Sequence, residues 1–199
     1  EVIFIDEPGE PGDWAGLLAD GEAVSPADLA ARMATLAPCD PINIQYTSGT
    51  TGTPKGVMHS ANTVMANIIP YAQRLQLDAE DVVLMASPMA HQTGFMYGLM
   101  MPIMLKASAV LQDIWEPKKA VEIINREKAS FTMASTPFLT DLTRAVTDNK
   151  TPVPTLQTFL CAGAPIPGPL AELAAARGSG CSLRVPAIQN ASQTNPTRR

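Results

Sequence analysis

Apolar positions in this chain fall into short runs separated by longer amphipathic stretches. Val82-Val83-Leu84-Met85 is an unbroken apolar run, the pattern of a strand covered on both faces. Residues 2–5, 109–111, 131–134 and 156–160 read as further strands. Ile42-Asn43-Ile44-Gln45-Tyr46 alternates apolar and polar, which predicts a half-buried strand, and a short strand is predicted over 56–59. A loop holding Pro8, Gly9, Pro11 and Gly12 precedes the first helix signal. That signal is Ser25-Pro26-Ala27-Asp28, with a serine cap, proline at the first helical position and an acid at the capping-box site; the helix should run to about residue 36. Ser60 caps a second helix over 61–75. A Met-rich helix starts near Gly94, and 117–128 is amphipathic, with Ala120, Val121, Ile123 and Ile124 apolar among charges. Residues 138–146 and 169–177 complete the helices.

Strands spaced by helical stretches imply βαβ units, hence an α/β fold with a mostly parallel sheet and helices on both faces. Ligands bind such sheets in crevices beyond the strand ends, which directs attention to the loops after Tyr46, Met85 and Leu160. With 199 residues, 46% of them hydrophobic, the chain can bury a real core. Its net charge of −5 gives no support for nucleic-acid binding through broad electrostatics. The longest apolar candidate, residues 94–105, is too short to span a bilayer, which leaves only peripheral membrane contact open. Cys39, Cys161 and Cys181 are scattered, and the only histidines are His59 and His91, so no structural metal site is expected. Cysteine usage fits a reducing compartment and a cytoplasmic location. Glu1 opens straight into a strand-like run without an initiator methionine, as a chain beginning inside a domain would.

One stretch carries candidate chemistry. From Thr47 to Val57 there are five hydroxyl side chains, three glycines and one lysine in eleven positions. A loop of this kind can turn its backbone N–H groups inward, with Lys55 adding a mobile positive charge; the matching ligand is a polyphosphate. An ordinary exposed Thr/Gly turn is the alternative. A strand feeding directly into the loop and the specific order of Gly, Thr, Pro and Lys weigh against that alternative. The spacing also excludes a Walker A loop, because Lys55 follows Pro54 and a strand rather than a helix comes next.

Thr47, Ser48, Gly49, Thr50, Thr51, Gly52, Pro54, Lys55 and Gly56 resemble the phosphate-binding signature of the adenylate-forming superfamily, which includes acyl-CoA synthetases, peptide-synthetase adenylation domains and luciferases. Two further segments resemble the same family in the same order. Pro88-Met89-Ala90-His91-Gln92-Thr93-Gly94 is similar to the Pro-x-x-His-x-x-Gly stretch of acyl- and aryl-CoA ligases, where the histidine borders the acyl pocket and the reacting carboxylate. Cys161-Ala162-Gly163-Ala164-Pro165 is similar to the Gly-Gly-Ala-Pro stretch that lies along the adenine ring. The resemblance implies that Thr47, Ser48, Gly49, Thr50, Thr51, Gly52 and Lys55 hold the phosphates, that His91 neighbours the acid, and that Gly163, Ala164 and Pro165 seat the adenine. It also implies ATP, Mg²⁺ and coenzyme A as cofactors or co-substrates. Amino-acid-activating members tend to place Phe-Asp where this chain has Ala90-His91, so no acid is available to pair with a substrate ammonium. That contrast favours a fatty, alicyclic or aryl carboxylic acid.

Six methionines lie between Met85 and Met104. They read either as core filling or as a pliable wall for a fatty substituent, and one helix can do both. After Arg177 the resemblance stops. The family's Tyr-Gly-x-Thr-Glu motif is missing, and no acid follows Glu172. The expected organisation is a partial AMP-binding N-terminal domain over 1–177, a divergent tail over 178–199, and no small C-terminal domain. The implied reaction is ATP-dependent conversion of a carboxylic acid to acyl-AMP and then to a coenzyme A thioester, with this chain a truncated, weakly active or inactive form. A nonenzymatic nucleotide- or acyl-binding remnant and an amino-acid adenylation domain are the alternatives.

Overall fold

A computed structural model describes residues 14–47, 52–163, 166–177 and 187–188. The expected strand over 2–5 and most of the expected tail lie outside the described residues.

Two helices lead. Trp14–Glu22 (α1) is a helix that the sequence reading does not include; Pro26–Ala34 (α2) begins where the capping signal places it. There Ser25 Oγ accepts the Asp28 N–H at 3.1 Å and donates to the Asp28 carboxylate at 2.6 Å, so both partners of the cap are satisfied locally. Pro41–Thr47 (β1) and Lys55–Ser60 (β2) then form an antiparallel hairpin, paired from Pro41 with Ser60 to Thr47 with Lys55. This hairpin is a sheet of its own and no part of the parallel one. Ser60 closes β2 and caps Ala61–Leu75 (α3), its Oγ accepting the Thr63 N–H at 3.3 Å.

The remaining described strands build a five-stranded parallel sheet: Val82–Met85 (β3), Ser108–Leu111 (β4), Phe131–Ala134 (β5), Thr158–Ala162 (β6) and Ala187–Ile188 (β7). Its order is β4-β3-β5-β6-β7. Between β3 and β4 lie a π-helical segment, Gly94–Met100, and Met101–Leu105 (α4). Pro117–Glu127 (α5), Thr136–Asn149 (α6) and Gly168–Arg177 (α7) follow β4, β5 and β6 in turn.

Strand β6 starts two residues later than the apolar run suggests. Leu156 is fully buried, yet the ladder opens only at Thr158, opposite Phe131; before it, the Gln157 and Thr158 N–H groups both donate to Ser130 O. Buried position and ladder membership are separate properties, and hydropathy reports the first.

Strand alternation sorts the core into two layers. Leu84, Ala134, Phe159 and Cys161 point to the side covered by α5, α6 and α7. Val83, Met85, Phe131, Met133 and Leu160 point to the side covered by α3 and the π-helical segment. Thr132 is polar but buried, and its hydroxyl donates to the Leu84 carbonyl at 2.7 Å, tying β5 to β3. The Met-rich stretch is mainly core: Met85, Met96 and Met101 are buried, and Met89, Met100 and Met104 pack against them half-buried. Gly98 makes this packing close, because a Cβ there would collide with the Met85 side chain.

Candidate functional site

The strand order reverses at β3. From β3 the chain crosses to β4 on one side, then returns to place β5 on the other. A crevice at the carboxyl ends of β3 and β5 follows from that reversal. The structure has a cavity of about 340 Å³ there. Ser87 and Pro88 line it after β3, Ala134 and Ser135 after β5, and Ala162 and Gly163 at the end of β6. His91, Thr93, Met133 and Phe138 complete the lining. Two of the three expected loops, those after β3 and β6, therefore meet on one cavity. The loop after β5 joins them without having been foreseen.

The Pro88–Gly94 segment owes its shape to a few contacts. The His91 N–H donates to the Pro88 carbonyl at 2.9 Å, and the Phe95 N–H donates to the His91 carbonyl at 3.0 Å. Gly94 lies against the same proline carbonyl so closely that a Cβ would collide with it. The spacing of Pro, His and Gly by three is thus the footprint of one tight backbone turn. His91 Nδ1 accepts the Thr93 N–H at 3.1 Å. In the neutral ring this leaves the proton on Nε2, which has no partner among the described residues, so that nitrogen is a donor. The π-helical segment begins at Gly94, and such segments are often found beside functional sites.

Among the described lining residues the polar groups are Ser87, His91, Thr93 and Ser135, and no carboxylate is present. Met133 connects the cavity to the core behind it. Its Sδ accepts a hydrogen bond from the Tyr71 hydroxyl at 3.1 Å. Tyr71 stacks on Tyr97 with ring centroids 4.3 Å apart, and the Tyr97 hydroxyl donates to Asn67 Oδ1 at 2.8 Å. Burial raises both phenols above the ordinary tyrosine range, with Tyr97 adding to the effect at Tyr71. None of the six methionines between 85 and 104 is among the lining residues; Met133 is the methionine that is. Sequence reasoning missed it, since Phe131–Ala134 reads simply as a buried strand.

Of the residues expected to hold phosphate, the described ones, Thr47, Gly52 and Lys55, are not at this cavity. Thr47 and Lys55 face each other at the loop end of the β1–β2 hairpin, where Thr47 Oγ1 approaches the Lys55 carbonyl at 3.5 Å. Gly52 has φ +83°, a conformation that a side chain would strain, with nothing within 4 Å of where a Cβ would be. Lys55 is exposed, and among the described residues no carboxylate pairs with it. Ser48, Gly49, Thr50 and Thr51 lie outside the described residues, as do Ala164 and Pro165. Gly163 has φ +90°. The structure therefore brings His91 and Gly163 to one cavity, while Thr47, Gly52 and Lys55 are not among its lining residues. A second cavity of about 430 Å³ lies between the start of α5 and α6, with Trp115, Lys118, Asp141 and Arg144 in its wall; none of the expected site residues is there.

A sequence profile described as AMP-binding enzyme matches residues 4–186. The chain is 31% identical over 153 residues to the medium-chain fatty-acid–CoA ligase of Escherichia coli K12, covering 77% of this chain and 26% of that protein. It is 34% identical over 133 residues to the mitochondrial medium-chain acyl-CoA ligase ACSF2 of Macaca fascicularis, covering 64% of this chain and 22% of that one. Among solved structures it resembles o-succinylbenzoate coenzyme A synthetase from Bacillus subtilis in complex with ATP and magnesium ion. The TM-score is 0.65 and the identity 26%, over 72% of this chain and 30% of the other. The chain thus spans about a quarter of the length of the curated relatives it matches. With the profile match running through the hairpin, the parallel sheet and the loops that frame the cavity, the chain belongs to the AMP-binding enzyme family.

Proposed function

We propose that this chain supplies acid- and nucleotide-binding elements for ATP-dependent activation of a carboxylic acid and its transfer to coenzyme A. The observation that carries this reading is the cavity at the β3/β5 reversal, with His91 and Gly163 in its wall and no carboxylate among its described lining residues. A substrate carboxylate there meets no like charge, and an α-ammonium would find no partner. That favours a plain carboxylic acid over an amino acid. The acyl-CoA ligase relatives and the B. subtilis synthetase complex support ATP and coenzyme A as co-substrates.

In the reaction, a carboxylate oxygen attacks the α-phosphorus of ATP and the bond to pyrophosphate breaks. The coenzyme A thiolate then attacks the acyl carbon, and AMP leaves. The chain's own part is binding and positioning. The Nε2–H of His91 is free to donate to the acid's carboxylate, while Thr93 fixes the ring. Thr47, Ser48, Gly49, Thr50, Thr51, Gly52 and Lys55 form the phosphate grip, with the Lys55 ammonium offsetting phosphate charge. Gly163, Ala164 and Pro165 seat the adenine. The B. subtilis synthetase complex with ATP and magnesium ion supports Mg²⁺ as the companion of ATP; among the described residues no carboxylate lines the cavity and no three metal-binding side chains gather.

The test is calorimetry with ATP and with a panel of carboxylates and amino acids, followed by ATP–pyrophosphate exchange. We expect binding of ATP and of plain carboxylates, loss of carboxylate binding in His91→Ala, and little exchange by this chain alone. Preference for amino acids over their des-amino analogues would overturn the acid assignment. Tight binding with no exchange, also in a longer form of the protein, would favour a nonenzymatic binding role.

A further inference from the structure

We propose that Met133, held in place by the Tyr71 hydroxyl, is the end wall of the acid cavity and sets the length of the acid it accepts. The proposal rests on the acid-activation reading above and deepens it.

Met133 is in two places at once. It lines the cavity, and it belongs to the buried cluster formed by α3, the π-helical segment and the inner face of β3, β5 and β6. It is therefore the partition between the ligand space and that apolar layer. Left to itself, a methionine is a poor partition: its three rotatable bonds and polarizable sulfur let it move aside for a longer ligand. Here the sulfur is not free. Tyr71, 62 residues earlier in the chain, donates its hydroxyl to Sδ at 3.1 Å.

Tyr71 is itself immobilised. Its ring stacks on Tyr97 and meets Phe131 edge-on, with centroids 6.3 Å apart. Tyr97 is anchored in turn by Asn67. The donor proton stays in place because burial, with Tyr97 adjacent, holds the Tyr71 phenol above the ordinary range. A chain of fixed groups thus runs from α3 and the π-helical segment to one methionine in the cavity wall. Met96, whose Sδ accepts from Gln92 Nε2 at 2.8 Å, shows the same device beside His91. Tyr71 touches no ligand on this account and acts as a positioning residue.

The experiment measures calorimetric affinity of this chain for unbranched carboxylates from butanoate to decanoate, in wild type, Tyr71→Phe and Met133→Ala. In parallel, the methionine ε-methyl groups are observed by carbon-13 NMR. Affinity should rise about fourfold per added methylene and then stop rising at the length where the chain meets the wall. Met133→Ala removes three heavy atoms, so its plateau should come later by about three methylenes. Tyr71→Phe keeps the ring stack and removes only the donor. Its plateau should move in the same direction, and the Met133 methyl signal should shift and narrow as the side chain begins to change rotamer. A plateau at the wild-type length in both variants overturns the proposal, as does a Met133 methyl signal unchanged in Tyr71→Phe. If no carboxylate of any length binds any of the three proteins, the acid-binding reading itself fails and this proposal falls with it. Binding without a length shift overturns the wall alone.

Discussion

The two sheets of this chain carry its candidate chemistry in opposite ways. The β1–β2 hairpin holds Thr47 and Lys55, two of the residues expected to grip phosphate, on a thin support. Ile44, Tyr46 and Met58 remain 55%, 74% and 67% exposed, although its strands pair without interruption from Asn43 with His59 to Thr47 with Lys55. The parallel sheet holds the cavity on a packed support, with Val83, Met85, Phe131 and Phe159 at 1% or less. Backbone pairing therefore holds Thr47 opposite Lys55, whereas layered side-chain packing positions the cavity. A ligand that must be gripped by backbone N–H groups needs only the ladder. One that must be measured by shape needs walls that do not move.

The contrast can be broken by truncating each sheet in turn. Phe131→Ala should lower unfolding free energy by about 3–5 kcal/mol, because the ring is fully buried and its neighbours are fixed on two sides. Ile44→Ala should change it by less than about 1 kcal/mol. Urea denaturation measures both, and equal losses would mean that the hairpin is as tightly packed as the parallel sheet.

Gly94→Ala tests the turn that presents His91. The added methyl collides with the Pro88 carbonyl, which is backbone and cannot rotate away. The expected loss is about 1–3 kcal/mol, with displacement of the His91 loop. Gly52→Ala meets open space and only the strain of a positive φ, so about 1 kcal/mol is expected. If the two cost the same, the Pro88–Gly94 turn is looser than its contacts imply.

Much of this was legible in the sequence, for identifiable reasons. Val82–Met85 and Phe131–Ala134 were plain because strands buried on both faces need unbroken apolar runs. The starts of α2 and α3 were plain because Ser25 and Ser60 are chemical caps that act through neighbours three residues away. Of the candidate site, the loops after β3 and β6 were legible through Pro88, His91, Gly94 and Gly163. Met133, Ser135 and Phe138 were not, because strand order decides which loops meet and no local pattern encodes it. The Tyr71–Met133 bond is the same case across 62 positions. Helix ends were blurred for another reason. α3, α4, α5 and α6 end on Gln76, Lys106, Lys128 and Lys150, all in the left-handed region, where glycine is the usual stop signal. Lys128→Gly should accordingly raise stability by about 0.5–1 kcal/mol, read as a higher urea midpoint.

Lys55→Ala should change stability least and separates the two supports most sharply. Its side chain is exposed at the start of β2, and among the described residues no carboxylate pairs with it, so removing the ammonium leaves no buried charge or cavity behind. Unfolding free energy should stay within about 0.5 kcal/mol of wild type. If the hairpin grips phosphate as proposed, the same change removes a charge-assisted contact of about 1.5–3 kcal/mol, or roughly a 10- to 100-fold loss in ATP affinity. Carboxylate binding at the cavity should be untouched, because Lys55 is not among its lining residues. Calorimetry with each ligand reads the two effects separately. Loss of both affinities together would mean that the hairpin and the parallel sheet act as one site; retention of both would remove Lys55 from the phosphate grip.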